Sequence, residues 1–318
     1  MRKLRVAMRD WDWLTPLLIG EVEVADGYEI ELVRCAALAD PWQGEAKDFD
    51  AFECSLARHN RAILADDQRV LAAAFPVMQS FRQRCLIVSK NSAARSLADL
   101  RGGRIGVTGW IDSGNTWTRA LFLDAGVQLD EITWIAGRLT AAHPEQDRLQ
   151  GHARPCWIEA APAGAVMTEM LDRGELDAIM TPFMPPGFYS VDAPWRPLFD
   201  DVRAVEIDYA NRVGFVPAHH VLGFHADGFD QDAALAVQRA LLDSRAIWQQ
   251  RREKLAETSQ WLSCDLLNQT RLPAGWDEPG LERQGQMFEE FSRQAQLQGI
   301  NSHAASAAQL FAVATPSS

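Results

Sequence analysis

Two adjacent histidines, His219 and His220, are the side chains of this sequence best suited to carry a proton. They lie in the apolar segment VGFVPAHHVLGF, residues 213–224. An imidazole has an unperturbed pKa of about 6.5, so it gains or loses a proton near neutral pH. If the segment is a strand, neighbouring side chains point to opposite faces. We therefore expect only one of the two to reach a ligand cleft; the alternative for each is a buried core histidine.

Two arginines, Arg82 and Arg84, follow the predicted strand VLAAAFPVM at residues 70–78. In an extended segment, positions i and i+2 share a face, so both guanidinium groups would point in one direction. Arg binds a carboxylate through two parallel hydrogen bonds and does not lose its charge. We predict that both arginines bind an organic acid; the alternative is a pair of solvated loop residues.

A predicted helix with a polar first turn follows the strand-like segment RIGV. This helix begins with SGNTWTR, residues 113–119. The free N–H groups and the dipole of a helix favour an anion at its N-terminus. We predict that Asn115 and Thr116 contact the ligand there, and that Arg119 does so from the next turn. The alternatives are ordinary capping of the helix and an ion pair between Arg119 and a nearby acid.

Three more candidates follow predicted strands near the start of the chain. Glu53 and Ser55 end the segment FDAFECS, and Trp11 lies in DWDW, directly after the strand LRVAM. Ligands of open α/β sheets bind beyond the carboxyl ends of the strands. We predict that Glu53 and Ser55 bind substrate. We also expect one of the DWDW side chains to enter the cleft, with Trp11 a candidate to stack on an aromatic ligand, and which of the four does so is left open. Capping of the next helix is the alternative for Ser55.

Short apolar segments alternate with helical ones over roughly the first 228 residues. Strands separated by helices of this length predict βαβ units with mostly parallel sheets, so the fold class is α/β. After this point, long amphipathic segments at 230–257 and 278–300 predict a helical C-terminal region that packs on one of the α/β units.

Composition restricts the partners. The chain has 318 residues and a net charge of -12, which argues against nucleic acid or an anionic membrane as the main partner. No run of 18 apolar residues predicts a membrane span, and the start does not resemble a secretory signal. The five cysteines are scattered and odd in number, which favours free thiols and a cytoplasmic location.

The sequence predicts neither a metal nor a cofactor. His143, His152 and Cys156 lack the spacing of a metal site, and adjacent histidines on a strand cannot both face one ion. The glycine-rich segment RGGRIG precedes its strand, whereas a dinucleotide-binding loop follows one. Whether the chain forms a homo-oligomer is left open.

A set of motifs occurs in a fixed order between residues 5 and 222: WLTPLLIGEV, FDAFECSL, FPVMQSFRQR, NTWTRALF, ITWIAG, LFDDVRAVEIDY and GFVPAHHV. The ordered set resembles the 4,5-dihydroxyphthalate decarboxylase family, an intracellular enzyme branch of the type II periplasmic-binding-protein fold. Pro217 and His220 match the Pro-x-x-His element of the family, whereas His219 has no counterpart. One departure is Gln83, which stands where the family has His, and an upstream Arg of the family is missing.

This resemblance implies a two-lobed type II periplasmic-binding-protein-like fold with a ligand cleft between the lobes. We expect residues 1–83 and 216–318 to form one lobe, including the C-terminal helices, and residues 84–215 to form the other. The implied activity is cofactor-independent decarboxylation of a hydroxylated aromatic carboxylate, with His220 as the general acid. The alternative is a non-catalytic solute-binding protein for a small organic anion.

Overall fold

The computed structural model describes residues 1–316, which form two compact units. Unit 1 contains Met1–Gln79, Val213–Ser292 and the residues from 304 onward. Unit 2 contains Ser80–Arg212 and Arg293–His303. The predicted domain limits at residues 84 and 216 remain a prediction, because compactness alone does not establish that a unit folds independently.

The elements confirm the predicted α/β class with a helical C-terminal region. The strands are β1 (Arg2–Met8), β2 (Tyr28–Arg34), β3 (Ala51–Ser55), β4 (Val70–Gln79), β5 (Leu86–Ser89), β6 (Arg104–Val107), β7 (Thr133–Ala136), β8 (Ile158–Ala160), β9 (Ala178–Met180), β10 (Trp195–Pro197) and β11 (Ala218–His225). The α-helices are α1 (Thr15–Leu18), α2 (Leu56–Leu64), α3 (Ser113–Asp124), α4 (Met167–Asp172), α5 (Val202–Val213), α6 (Gln231–Leu255), α7 (Leu262–Gln269), α8 (Leu281–Leu297) and α9 (Ala307–Leu310). In the part of the chain that the structure describes, no helix combines the length and apolarity needed to cross a membrane.

Unit 1 is built on a five-stranded sheet with the order β2-β1-β3-β11-β4. β1 pairs in parallel with β2 and β3, whereas β11 runs antiparallel to β3 and β4. Asp230 caps the start of helix α6, and its side chain accepts hydrogen bonds from the backbone N–H groups of Asp232 and Ala233. Its apolar side, including Val237 and Leu241, packs on one face of the sheet.

The two histidines of β11 have different surroundings. Leu222 and Phe224 belong to the core that α6 covers, and His220 has the same parity along the strand. His219 has the opposite parity and is 1% exposed. The prediction that this segment is a strand is confirmed by β11. Its pairing with β4 has register shifts on both sides of His220, so the two imidazoles are distinguished by their burial and contacts and not by alternation alone.

Unit 2 contains a six-stranded sheet with the order β10-β5-β9-β6-β7-β8. Strands β9, β6, β7 and β8 are parallel, and β5 is antiparallel to both β9 and β10. Gly106 of β6 lies so close to α4 that a Cβ there would be 2.9 Å from the sulfur of Met167. The glycine therefore allows the helix to pack directly on the sheet.

Three features differ from the sequence-based expectation. Each sheet contains one strand that runs opposite to the others, β11 in unit 1 and β5 in unit 2, and these strands form antiparallel pairs with both of their neighbours. Helices α5 and α7 were not predicted. Residues 80–85 are not extended: β4 ends at Gln79, and Gln83–Cys85 form a 3-10 turn.

The acid stability of unit 1 is expected to depend on His59, a fully buried residue of α2. Its Nε2 contacts the carbonyl oxygen of Leu310 at 2.6 Å, and its ring packs against Trp42 and Phe311. Burial lowers the pKa of His59 to about 4, and the hydrogen bond to Leu310 opposes this shift only in part. The native imidazole thus stays neutral at pH values where the unfolded chain is protonated.

We expect the free energy of unfolding to fall as the pH falls from 6.5 to 4, because the unfolded state binds a proton there that the native state does not. At 1.36 kcal/mol per pKa unit, the contribution of His59 is roughly 3 kcal/mol. Urea unfolding at pH 7 and pH 4.5 would measure the loss of unfolding free energy between the two pH values in the wild type and in His59→Gln. The amide of the variant still offers a hydrogen-bond donor to Leu310. If both proteins lose the same free energy between the two pH values, His59 is not the source.

Candidate active site

A histidine–glutamate pair lies on one face of the unit 1 sheet. Nδ1 of His220 is 2.5 Å from Oε1 of Glu53, across the antiparallel pair β11–β3. The register places His220 opposite Ser55 and Leu222 opposite Glu53, so the two interacting side chains are diagonal neighbours. The side chain of Glu53 is 2% exposed, whereas that of His220 is 14% exposed. The carboxylate is therefore enclosed, and the imidazole retains access to solvent.

Glu53 is held in place from its other oxygen. Oε2 accepts hydrogen bonds from the backbone N–H of Arg9 at 2.8 Å and from the indole N–H of Trp11 at 2.9 Å. Both carboxylate oxygens are thus engaged by groups of the protein, and this differs from the predicted role of Glu53 as a substrate ligand. That role remains a prediction, whereas the observed contacts favour Glu53 as a support for His220.

His220 offers one nitrogen for chemistry. With Nδ1 bonded to Glu53, Nε2 has no hydrogen-bond partner among residues 1–316. Such an imidazole can release or accept a proton at Nε2 while its ring stays oriented by the carboxylate. The arrangement is that of a general acid or base supported by an acceptor.

Ser55 and Trp11 are the predicted residues that lie beside this pair. The hydroxyl oxygen of Ser55 accepts from the backbone N–H of Arg58 at 3.4 Å, so Ser55 caps α2, which was its alternative interpretation. The ring of Trp11 is 6.5 Å from that of His220. The Trp13 ring is instead covered by the guanidinium of Arg245, at 4.7 Å. Trp11 is therefore the DWDW aromatic residue that lies beside the imidazole.

A free thiol lies near this pair and was not predicted from the sequence. Cys35 follows β2, and its backbone N–H donates to the carbonyl of Met8 at the end of β1. Burial, and to a smaller extent the charge of Glu53, raise the pKa of the Cys35 thiol. The thiol is therefore a weak nucleophile, because only the thiolate form attacks readily.

In unit 2, the predicted anion site at the start of α3 is organised by Asp112, which the sequence analysis missed. Its carboxylate accepts hydrogen bonds from the backbone N–H of Asn115, at 2.8 Å, and from the side-chain amide of the same residue. The hydroxyl of Thr116 donates to the carbonyl of Asp112 at 2.9 Å. Asn115 and Thr116 are both fully buried and serve the cap. The predicted contact of Asn115 and Thr116 with a ligand remains untested. The cap itself could have been predicted from the sequence, because an Asp directly before the first turn of a helix is a typical capping residue.

Arg82 lies against the first turn of α3. Its guanidinium carbon is 3.5 Å from the position that a Cβ of Gly114 would occupy, and Asp112 Oδ1 is 3.4 Å from that position. Nη1 of Arg82 also lies 3.4 Å from the sulfur of Cys85. The side chain is 3% exposed. A fixed positive charge and the N-terminus of a 12-residue helix therefore lie together in unit 2.

Arg84 points elsewhere. Its Nε donates to Oε1 of Glu206 at 2.8 Å, and its Nη2 donates to the second oxygen of the same carboxylate. This hydrogen bonding raises the pKa of Arg84, and Glu206 itself is buried. The 3-10 turn separates the directions of Arg82 and Arg84, so the inference that both share one face is wrong. Arg84 as a substrate ligand remains a prediction, but its planar group is already engaged.

Arg84→Ala is expected to lower stability more than ligand affinity. The substitution leaves the buried carboxylate of Glu206 without its side-chain donors, which costs about 1–3 kcal/mol. Chemical unfolding and calorimetric titration with an aromatic carboxylate would measure the two effects. A loss of affinity as large as that of Arg82→Ala, with unchanged stability, would identify Arg84 as a ligand instead.

Arg119 is enclosed within unit 2. Its Nε donates to Gln298 at 2.8 Å, its Nη2 donates to the carbonyl of Trp110, and its guanidinium lies 3.9 Å from the centre of the Trp110 ring. Loss of hydration lowers the pKa of Arg119 to about 9, although the charge of Asp112 opposes this. With 0% exposure, the side chain holds α3 to its surroundings, and its predicted contact with a ligand remains untested.

The two α/β units and their sheets define the fold to which this protein belongs. The fold is that of the type II periplasmic binding proteins, as the resemblance implied. The structure resembles the periplasmic aliphatic sulphonate binding protein of Escherichia coli with a TM-score of 0.57 and 14% identity, over 100% of this chain and 94% of the other. It also resembles a desulfurization enzyme, with a TM-score of 0.53 and 14% identity over 98% of this chain and 97% of the other. The fold therefore occurs in a binding protein and in an enzyme.

Curated relatives give a more specific comparison, and no family model matches the chain. The chain is 25% identical to 4,5-dihydroxyphthalate decarboxylase of Comamonas testosteroni, over 97% of this chain and 96% of that protein. It is 27% identical to the protein of the same name from Pseudomonas putida, over 67% of this chain and 83% of that protein. The predicted resemblance is confirmed, and these relatives support a decarboxylase-like function.

Proposed function

We propose that this chain is a cofactor-independent decarboxylase of a hydroxylated aromatic carboxylate, and that His220 is its general acid. The observation that carries the proposal is the geometry of His220. One ring nitrogen is bonded to a buried carboxylate, and the other has no partner within residues 1–316. The names of the two curated relatives support the reaction class.

In the proposed reaction, a ring hydroxyl para to the departing carboxylate donates electron density to the ring. The ring carbon that bears the carboxylate takes the proton from Nε2 of His220, and a C–H bond forms. The carbon–carbon bond to the carboxylate then breaks, its electron pair restores the aromatic ring, and CO2 leaves. His220 is neutral after this step and regains a proton from solvent through Nε2. A positioned general acid typically contributes ~10²–10⁴-fold to such a rate.

Arg82 and the start of α3 are proposed to recognise a second, spectator acidic group or a phenolate. An Arg that held the departing carboxylate would stabilise the charged ground state more than the transition state, in which that charge is being lost. A positive group is therefore better placed on a part of the substrate that keeps its charge. The buried position of Arg82 beside the helix N-terminus supports this assignment.

The second candidate is a non-catalytic binding protein for a small organic anion. The likeness to an aliphatic sulphonate binding protein favours it at the level of the fold. It does not explain an imidazole supported by a buried carboxylate, since binding of an anion needs a donor and no proton transfer. A cytoplasmic location remains a prediction, and the oligomeric state remains open.

The test is incubation of the purified protein with a panel of hydroxylated benzoates and phthalates, with measurement of CO2 and of the ring product. In D2O, the proposal requires deuterium at the ring position that the carboxylate vacates. Thermal shift identifies binders in the same panel, since a ligand at 100 times its Kd stabilises by ~2.7 kcal/mol. A compound that binds tightly but releases no CO2, in a panel without any substrate, would favour the second candidate.

A further inference from the structure

We propose that Glu53 is a positioning residue that restricts His220 to one tautomer and one ring orientation, so that every proton enters and leaves through Nε2. The inference rests on the proposed function of His220 and adds to it a role for Glu53. It replaces the expectation that Glu53 contacts the substrate.

The first support is the number of donors directed at one buried carboxylate. His220 engages Oε1, while the backbone N–H of Arg9 and the indole N–H of Trp11 engage Oε2. Because Arg9 donates from the main chain directly after β1, this contact is set by the sheet and not by a mobile side chain. Both oxygens of this carboxylate are already engaged and the side chain is only 2% exposed, which favours a supporting role over direct contact with a substrate.

The second support is the chemistry of the ring. An ionised carboxylate only accepts hydrogen bonds, so Nδ1 must carry a hydrogen to bond with Oε1. The neutral ring then has a bare Nε2, and the protonated ring presents an N–H at the same place. Without this acceptor, the neutral imidazole would populate both tautomers, and a ring flip would exchange the two nitrogens. Glu53 therefore determines which nitrogen faces the reacting carbon.

Trp11 supports Glu53 in turn, and so it acts on His220 only indirectly. Its indole donates to Oε2 but lies 6.5 Å from the His220 ring, centre to centre. Loss of the indole N–H leaves the bond from Arg9 in place, so its effect on the imidazole should be partial. The order of effects, with Glu53 above Trp11, is a specific expectation of this arrangement.

The experiment compares Glu53→Gln, Trp11→Phe and a matched control, Glu29→Gln, which changes the same group at an exposed position of β2. Glu53→Gln keeps the shape of the side chain and removes its charge. We expect its kcat to fall by roughly 10–100-fold with KM changed by less than about 3-fold, since orientation of the acid matters most in the transition state. Trp11→Phe should lose less, and Glu29→Gln should behave as the wild type.

Nitrogen-15 NMR of the ligand-free protein provides a readout that does not depend on activity. The neutral His220 ring of the wild type should carry its hydrogen on Nδ1. In Glu53→Gln the ring should shift towards the Nε2–H tautomer, because the N–H groups of Arg9 and Trp11 hold the amide oxygen and leave the amide NH2 to donate to Nδ1. An Nε2–H tautomer in the wild type would overturn the inference, even if the variant fails to fold. So would a rise in KM at unchanged kcat in Glu53→Gln, which would make Glu53 a substrate ligand. Full activity of His220→Asn would instead refute the proposed function of His220. The tautomer measurement would still test whether Glu53 fixes the imidazole ring.

Discussion

Replacement of His220 by Asn is expected to reduce turnover by ~10²–10⁴-fold, the range for a lost general acid. Asn keeps part of the size and hydrogen-bonding capacity of the imidazole, but it cannot release a proton near neutral pH. The effect should fall on kcat and much less on substrate affinity, because the proton is transferred only in the transition state. CO2 release and calorimetric titration on one active substrate would measure the two quantities separately.

His219→Asn is the matched control for this experiment. His219 is the neighbouring residue of the same strand, but it is 1% exposed and has the opposite parity along β11. We expect this variant to lose stability, because the substitution disturbs a buried polar side chain, and to retain most of its turnover. Wild-type turnover in His220→Asn, or loss of turnover in His219→Asn alone, would show that the proton carrier has been assigned to the wrong residue.

Replacement of Arg82 by Ala is expected to weaken binding of an aromatic carboxylate by ~1.5–3 kcal/mol, the value for a hydrogen bond to a charged group. This corresponds to about a 10- to 150-fold increase in Kd. The positive charge of Arg82 beside the first turn of α3 is the reason for the expectation. Isothermal titration with a hydroxylated phthalate would give the affinity, and circular dichroism would report whether the fold is intact.

Two further arginine variants make the Arg82 result specific. Arg82→Lys keeps the charge but loses the planar pair of donors, so it should recover only part of the affinity. Arg95→Ala removes an arginine of unit 2 whose ion pair with Asp200 is exposed, and it should bind as the wild type does. Equal affinity of Arg82→Ala and Arg95→Ala in folded proteins would exclude Arg82 as a ligand.

Part of the candidate site could not be predicted because its contacts join residues that are distant in the sequence. Glu53 and His220 are 167 positions apart, and Arg84 and Glu206 are 122 apart. Hydrophobic periodicity predicts which face of an element is buried, but it does not predict which two strands pair in the sheet. Glu53 was predicted as a site residue from its place at the end of a strand, whereas its contact with His220 depends on the position of β11 between β3 and β4.

Local pattern was sufficient to predict most of the longer elements. Most strands of unit 1 and the long helices α6 and α8 follow from apolar spacing, and ordered motifs identified the type of fold. The sequence by itself determined that both histidines lie on a strand, whereas only the tertiary structure gave them different surroundings, with His220 beside Glu53 and His219 1% exposed. Only the tertiary structure decided that Arg82 lies against α3 while Arg84 binds Glu206, since a 3-10 turn replaced the extended segment. That turn forms where the chain leaves the sheet, and there the packing of distant elements outweighs the weak conformational preference of a short polar segment.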